Sequence, residues 1–366
     1  MSSPAQAPDD HEIVEKIKRL SAIFAETAED TDRSGPLNDN LRSNIHHLIR
    51  AGYLGSSIPR SYGGLDLSSE AKRETLKLIS AACGVTAFTQ QQLHAGGNFV
   101  TRCTDEELRS ELLPLFARGE NICGVGFSHL RRLGPPKVLA VRTAKGFTIN
   151  GALPWISAWS MLDSFILGAT VNDGNMIYCY LPIREFRNCL YASQPLLLST
   201  LTASETVELS LTNVEMPARY VLSEHGPDHM ITMDYRGITG HIELPLGCAL
   251  GSASFLRTLS QKTGRSTFIE TAERIERKVK ELETEALYWN GYRHEEADYK
   301  TNALKARTAV ITLAINAAAA AVAAAGGSAH LVSNPAQRRF RESAFYATQA
   351  QTMDIQQSLL EAFIDG

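Results

Sequence analysis

The sequence predicts an α+β fold in three consecutive parts. An N-terminal α-helical domain covers 1–120, a middle antiparallel β-barrel or sandwich covers 121–225, and a C-terminal four-helix bundle covers 226–366. Three observations carry this. Apolar residues recur at helical spacing up to about residue 120. Short β-rich runs separated by turn residues then follow one another with no helical pattern between them. After about Asp228, long amphipathic segments return, joined by short connectors.

In the first part, Ile13, Val14, Ile17, Leu20, Ile23 and Phe24 share one helical face, as do Leu37, Leu41, Ile45, Leu48 and Ile49. The second helix stops at Gly52, the residue type that tolerates the left-handed C′ position. An apolar loop with a tight Gly63-Gly64 turn follows, then helices over Ser68–Ala82 and Thr86–Arg102. Thr104-Asp105-Glu106-Glu107 reads as a capping box opening another helix, which closes near Leu113-Pro114 and Gly119-Glu120.

In the middle part, strands are expected at Gly124–Ser128, Val138–Thr143, Gly146–Asn150, Ser164–Val171, Met176–Leu181 and Glu205–Leu211, with Asn172-Asp173-Gly174 as a hairpin turn. In the last part, helices are expected over Gly247–Leu259, Ser266–Arg293, Glu295–Ala325 and Asn334–Phe363. The alanine run Ala317–Ala325 lets two helix backbones approach closely, and the Gly326-Gly327 pair ends it.

Composition narrows the function classes. A net charge of −4 gives no reason to expect nucleic acid or an anionic membrane as partner. Met1–Asp10 has no apolar core of a secretory signal, and no apolar run reaches the ~18–20 residues of a membrane span. The six cysteines are scattered without a Cys-x-x-Cys pair, which points to reduced thiols in a cytoplasmic protein and to no metal site.

Several short motifs, each ordinary alone, occur in one order. They are Gly52-Tyr53-Leu54-Gly55 with Pro59-Arg60-Ser61-Tyr62-Gly63-Gly64; Leu113-Pro114 with Gly119-Glu120; Asn150-Gly151-Ala152-Leu153-Pro154-Trp155-Ile156-Ser157; Ser204-Glu205-Thr206 with Val214-Glu215-Met216-Pro217; and Gly326-Gly327 with Pro335 and Arg341-Glu342. Together they resemble the acyl-CoA dehydrogenase superfamily of flavoproteins over roughly residues 35–365. The resemblance implies FAD, with FMN as the alternative. It places Trp155 on the flavin ring and Ser157 near its N5. Ser128 and Gly134 take the places of the family's hydroxyl and glycine in the loop after the first strand, and Arg265 takes that of the pyrophosphate arginine. Gly326 and Gly327 would reach the cofactor of a neighbouring subunit in a homodimer or homotetramer, and Gln351 and Thr352 occupy the family's closing flavin segment.

The chain departs from the family at the base. In many members a glutamate lies nine residues after the arginine of the Arg-Asp pair; counting from Arg341 reaches Ala350. Other members carry the base ahead of the first bundle helix, where the alignment on Leu250-Gly251 puts His241, with Glu243 two residues on. His94 lies on a helix whose family counterpart borders the substrate pocket. The first expectation is therefore an acyl-CoA dehydrogenase-like oxidoreductase that moves a hydride from an acyl thioester to flavin N5. The alternatives are a flavin-dependent monooxygenase using reduced flavin and O2, and a non-catalytic flavin- or acyl-binding homologue. A flavin reductase or electron-transfer partner is implied in either catalytic case, and the base candidates are His241, Glu243 and His94.

Overall fold

A computed structural model describes residues 9–132 and 134–365. Six helices come first: α1 (Asp10–Glu26), α2 (Ala28–Arg33), α3 (Asp39–Arg50), α4 (Ser69–Ala82), α5 (Gly84–Thr101) and α6 (Glu106–Arg118). Their starts are set by side-chain caps, each an oxygen accepting from an otherwise unpartnered backbone N–H. Asp9 accepts from Glu12 at 2.8 Å, Asn38 from Leu41 at 3.1 Å and Ser68 from Ala71 at 3.1 Å. The cap of α6 is Asp105, accepting from Leu108 at 3.0 Å, one residue later than the expected Thr104. Gly52 adopts φ +74°, and the loop behind α3 folds so tightly that a Cβ on Gly64 would lie 2.0 Å from the carbonyl oxygen of Ile58.

The middle unit comprises β1 (Cys123–Gly126), β2 (Val138–Thr143), β3 (Gly146–Ile156), β4 (Ser164–Val171), β5 (Met176–Pro182), the short α7 (Ile183–Phe186), β6 (Leu190–Ala192), β7 (Val207–Pro217) and β8 (Val221–His225). They form one sheet in the order β6-β7-β3-β2-β4-β5-β8, with β1 beside β4. The sheet is antiparallel except along β4, which pairs parallel with β1 through Ser164–Leu167 and with β2 through Thr170 and Val171. One edge of β4 is thus shared by two short strands in line, and the segment between them leaves the sheet as a loop. β3 alternates cleanly, Phe147, Ile149 and Leu153 inward, and carries two bulges against β7.

Helices α8 (His229–Arg236), α9 (Glu243–Thr263), α10 (Ser266–Tyr288), α11 (Tyr299–Ala325), α12 (Pro335–Tyr346) and α13 (Met353–Asp365) complete the chain. The bundle is α9, α10, α11 and the α12–α13 segment, with Leu246, Ala249, Ala253, Leu256, Ile275, Val279, Val310 and Leu313 in its core. The last helix, expected as one continuous amphipathic run, is broken at 347–352. Ala350 takes φ +50° there, and the carbonyl of Gln349 turns away from the helix ladder to accept from Arg307 at 3.3 Å.

The expected absence of any run long enough for a membrane span needs correction. By length and composition Tyr299–His330 could cross a membrane, with a mean hydropathy of 1.9 in its most apolar window. Its alanine-rich stretch joins onto Val310, Ile311, Leu313 and Ala314 to make the longer run. In the fold α11 is the bundle's central helix, packed on α9, α10, α12 and α13.

The Arg341-Glu342 pair serves architecture. Glu342 accepts from Arg338 at 2.7 Å and from the Gly84 backbone at 3.1 Å, while Arg338 also donates to Glu29 at 3.1 Å and to the Ala82 carbonyl at 3.2 Å. Arg341 pairs with Asp32. These buried charges tie α12 to α2 and to the α4–α5 corner. A Cβ on Gly84 would lie 2.5 Å from the Glu342 carboxyl carbon, so that corner requires glycine.

Candidate active site

Helix α5 organises the site. Gln90, Gln91, His94 and Asn98 recur at spacings of three, four and eight residues and so lie on one face. That face borders a cavity of about 220 Å³ closed by Tyr53 and Ser56 from the loop after α3, Lys72 and Leu76 from α4, and His241 from the turn before α9. Two of the three expected base candidates, His94 and His241, thus meet in one cavity from positions 147 apart in sequence.

His94 is clamped between two hydroxyls, Ser56 Oγ at 3.1 Å from Nδ1 and Ser57 Oγ at 2.9 Å from Nε2. Burial holds it neutral, lowering its pKa to about 4. His241 takes the left-handed backbone conformation, φ +59°, which turns its side chain out of the helix start. His241 is exposed by surface area, although neighbouring protein atoms crowd its ring. That desolvation, then the charges of Arg307 and Arg131, lowers its pKa to about 3. Gln91 Nε2 donates to His241 Nδ1 at 3.3 Å, and Gln91 Oε1 accepts from Gln349 Nε2 at 2.8 Å. The amide pair therefore assigns the imidazole proton to Nε2. Glu243 is the first residue of α9 and is not among the lining residues; burial raises its carboxyl above the usual range.

Arg307 holds the cavity's far side together. It is 1% exposed, donates to the carbonyl of Gly240 next to His241, and donates to the carbonyl of Gln349 at 3.3 Å. Burial lowers its pKa to about 10, so it stays protonated at neutral pH. Sequence reading missed Arg307, Gln91, Gln349 and Lys72. The glutamine clusters at 90–92 and 349–351 were the available signal: amides repeated on otherwise amphipathic segments.

The second group of expected residues lies on the sheet. Trp155 is 46% exposed on β3, flanked by strand positions that are buried or half-buried. Ser157 is buried and shares a hydrogen bond of 2.9 Å with Thr206, which shares another of 2.9 Å with Ser204. The turn carrying Ser204 packs on α5, as do β1 and β4, and α5 also carries Gln90, Gln91, His94 and Asn98 of the cavity wall. Ser128 opens the turn after β1 with its side chain exposed, and Gly134 (φ +96°) faces open space. Thr352 caps α13, accepting from Ile355 at 3.2 Å, and Gln351 donates to the Ala347 carbonyl at 2.9 Å. Both shape the break whose Gln349 reaches the cavity.

Arg265, Gly326 and Gly327 are not brought to this place. α9 begins beside the cavity and runs 21 residues to the Gly264-Arg265 turn, a span of ~30 Å at 1.5 Å per residue. α11 runs alongside α9 in the same direction, and its C-terminal Gly326-Gly327 turn lies at that same distant end, both glycines facing open space. The Arg265 guanidinium lies over the Phe268 ring at 5.7 Å.

Known proteins share this architecture. Residues 8–120 match the family model described as acyl-CoA dehydrogenase, N-terminal domain. The whole chain superposes on butyryl-CoA dehydrogenase from Megasphaera elsdenii with a TM-score of 0.79 and 17% identity, covering 100% of both chains. It superposes equally on FMN-bound TdsC, a dibenzothiophene monooxygenase from Paenibacillus sp. A11-2, with a TM-score of 0.79 and 15% identity over 97% of this chain and 98% of that one. A probable acyl-CoA dehydrogenase from Bacillus subtilis (strain 168) is 25% identical over 263 residues, which is 68% of this chain and 42% of that protein. The chain thus spans under half of that relative's length. Residues 8–120 resemble the N-terminal domain of acyl-CoA dehydrogenases, and the whole chain shares the fold of these solved structures.

Proposed function

We propose that this chain is a flavin-dependent oxidoreductase of the acyl-CoA dehydrogenase superfamily and that it works as a monooxygenase. Two observations fit a flavin: an indole laid open on β3 at Trp155, and the buried Oε1 of Gln349, which has no hydrogen-bond partner of its own and can accept from a heterocyclic N–H. Trp155 offers the apolar face, and the Ser157–Thr206–Ser204 hydroxyl chain fixes the strand end that follows it. A bound reduced flavin supplies the electrons and the activation of dioxygen. FAD is the cofactor the resemblance implies; FMN, which TdsC binds, is the alternative.

One observation carries the choice of reaction. The histidines of the cavity have pKa values lowered to about 4 and about 3, so both are weak bases. Taking an α-proton from an acyl thioester requires a positioned group of higher basicity, and Glu243 is not part of the cavity wall. The Nε2–H of neutral His241 is suited instead to donating a hydrogen bond to a substrate oxygen, while Gln91 and Gln349 hold its ring and the two serines occupy both nitrogens of His94. Dehydrogenation remains the competing reading through Glu243, whose pKa burial raises, the direction expected of a carboxylate base.

We further propose a homodimer or homotetramer. Arg265, Gly326 and Gly327 could serve the flavin of a second chain, because about 30 Å of helix separates them from this chain's own cavity.

The test uses the purified protein with a flavin reductase and NADH. Incorporation of one atom of isotopically labelled dioxygen into an aromatic product, with no bleaching of bound flavin by anaerobic butyryl- or octanoyl-CoA, is the expected result. Bleaching by an acyl-CoA would overturn it in favour of dehydrogenation.

A further inference from the structure

Lys72 is the cavity residue for which the reaction above has no use. It lies four residues before Leu76 on α4, and both side chains line the cavity wall. Two other semi-buried cations are neutralised by carboxylates, whereas the fully buried Arg307 donates to carbonyls. Lys77 on the same helix is held by Glu283 at 2.7 Å and Glu74 at 3.0 Å, and Arg131 is held by Asp234 at 2.7 Å. No carboxylate forms an ion pair with Lys72 among the described residues, and no Asp or Glu lines the cavity. Its desolvation lowers the lysine pKa, and the charges of Asp66 and Asp10, neither of which forms an ion pair with it, oppose that. Around it are the amides of Gln90, Gln91 and Asn98, with Leu76 and Ala95 as the apolar part.

A half-buried ammonium without an ion-paired carboxylate, lining a cavity, is completed by an anion that enters that cavity. The volume of about 220 Å³ lies below the ~300–1,000 Å³ typical of pockets for drug-sized ligands. The occupant is therefore small. We propose that the cavity selects a small organic carboxylate about the size of a substituted benzoate, with its carboxylate on the Lys72 ammonium and its apolar part against Leu76 and Ala95. This rests on the cavity being the substrate site of the oxidoreductase proposed above.

The test is calorimetric and NMR titration of the full-length protein with benzoate and with its neutral isostere benzamide. Wild type is expected to bind benzoate at least tenfold more tightly, with benzoate shifting the His94 ring resonances. Lys72→Met should abolish the preference and Lys72→Arg should keep most of it, with circular dichroism confirming that each variant is folded. Equal affinities in wild type, a preference that survives in Lys72→Met, or binding that leaves His94 unshifted would each overturn the proposal. Should Lys72→Met fail to fold, the wild-type preference and Lys72→Arg decide. Flavin content measured on the same samples separates the two readings. Benzoate preference without flavin uptake sinks the flavin assignment alone, and flavin uptake without benzoate preference sinks this one alone.

Discussion

Replacing Arg307 by methionine separates folding from function in this molecule. The guanidinium is 1% exposed, with its pKa lowered from 12.5 to about 10, so the folded state pays for keeping it charged. At ~1.4 kcal/mol per pKa unit that cost is on the order of 3 kcal/mol, and it is relieved only as pH rises from about 10 towards 12.5. Methionine removes that cost but leaves the Gly240 and Gln349 carbonyls without their donor, at ~1–3 kcal/mol each. The opposing quantities partly cancel. The net change should fall between a gain of ~1 and a loss of ~3 kcal/mol, a few degrees in Tm. His241 should respond as well, because after desolvation, the main cause of its lowered pKa, Arg307 is the largest charge depressing it. Its pKa is expected to rise but to stay below the ordinary histidine value, because the desolvation remains, and turnover to fall as the turn before α9 and the 347–352 break lose their common tether. Imidazole NMR titration of His241, differential scanning calorimetry and steady-state kinetics read the three effects. An unchanged His241 pKa with unchanged turnover would refute the reasoning, as would a variant that simply unfolds.

Three further outcomes follow from the same geometry. Trp155→Ala should lower flavin occupancy markedly while leaving Tm nearly unchanged, because the indole is half exposed; unchanged flavin content would remove Trp155 from the ring site. Gly84→Ala should destabilise by several kcal/mol, since its Cβ would meet the Glu342 carboxyl carbon at 2.5 Å amid buried charges, and urea melts would show it. His94 has a folded pKa of about 4 against 6.5 unfolded, so below 6.5 the unfolded chain binds more protons. Its contribution to stability is present above pH 6.5 and is lost as pH falls to about 4, roughly 3 kcal/mol in all at ~1.4 kcal/mol per unit. His94→Asn should flatten the acid limb of the stability curve.

Local signals made the order of the three parts legible: helical period, turn residues and glycine stops are written into adjacent residues. Strands β6 and β8 were missed because Leu190–Ala192 and Val221–His225 are too short to show alternation. The break in the last helix was missed for a different reason. Its periodicity continues on both sides, and the event that opens it is a buried arginine 42 residues earlier in the chain. The histidines of the cavity were visible as residues of suggestive type. Their setting was not, since the Gln91–Gln349 bond joins positions 258 apart and the Arg307–Gly240 bond joins positions 67 apart. The Arg341-Glu342 dipeptide shows the converse: a motif read for its order turned out to anchor α12 on α2 and α5 through Asp32, Arg338 and Gly84.

The most direct test of the central claim is the visible spectrum of the flavin-loaded protein, recorded anaerobically with a panel of acyl-CoAs and then after reduction and admission of oxygen. The predicted result is a flavin band that no acyl-CoA bleaches and that reoxidises with transfer of oxygen to a small aromatic substrate. Bleaching by an acyl-CoA, lost in Glu243→Gln and retained in His241→Ala, would contradict it and make Glu243 the base of a dehydrogenase.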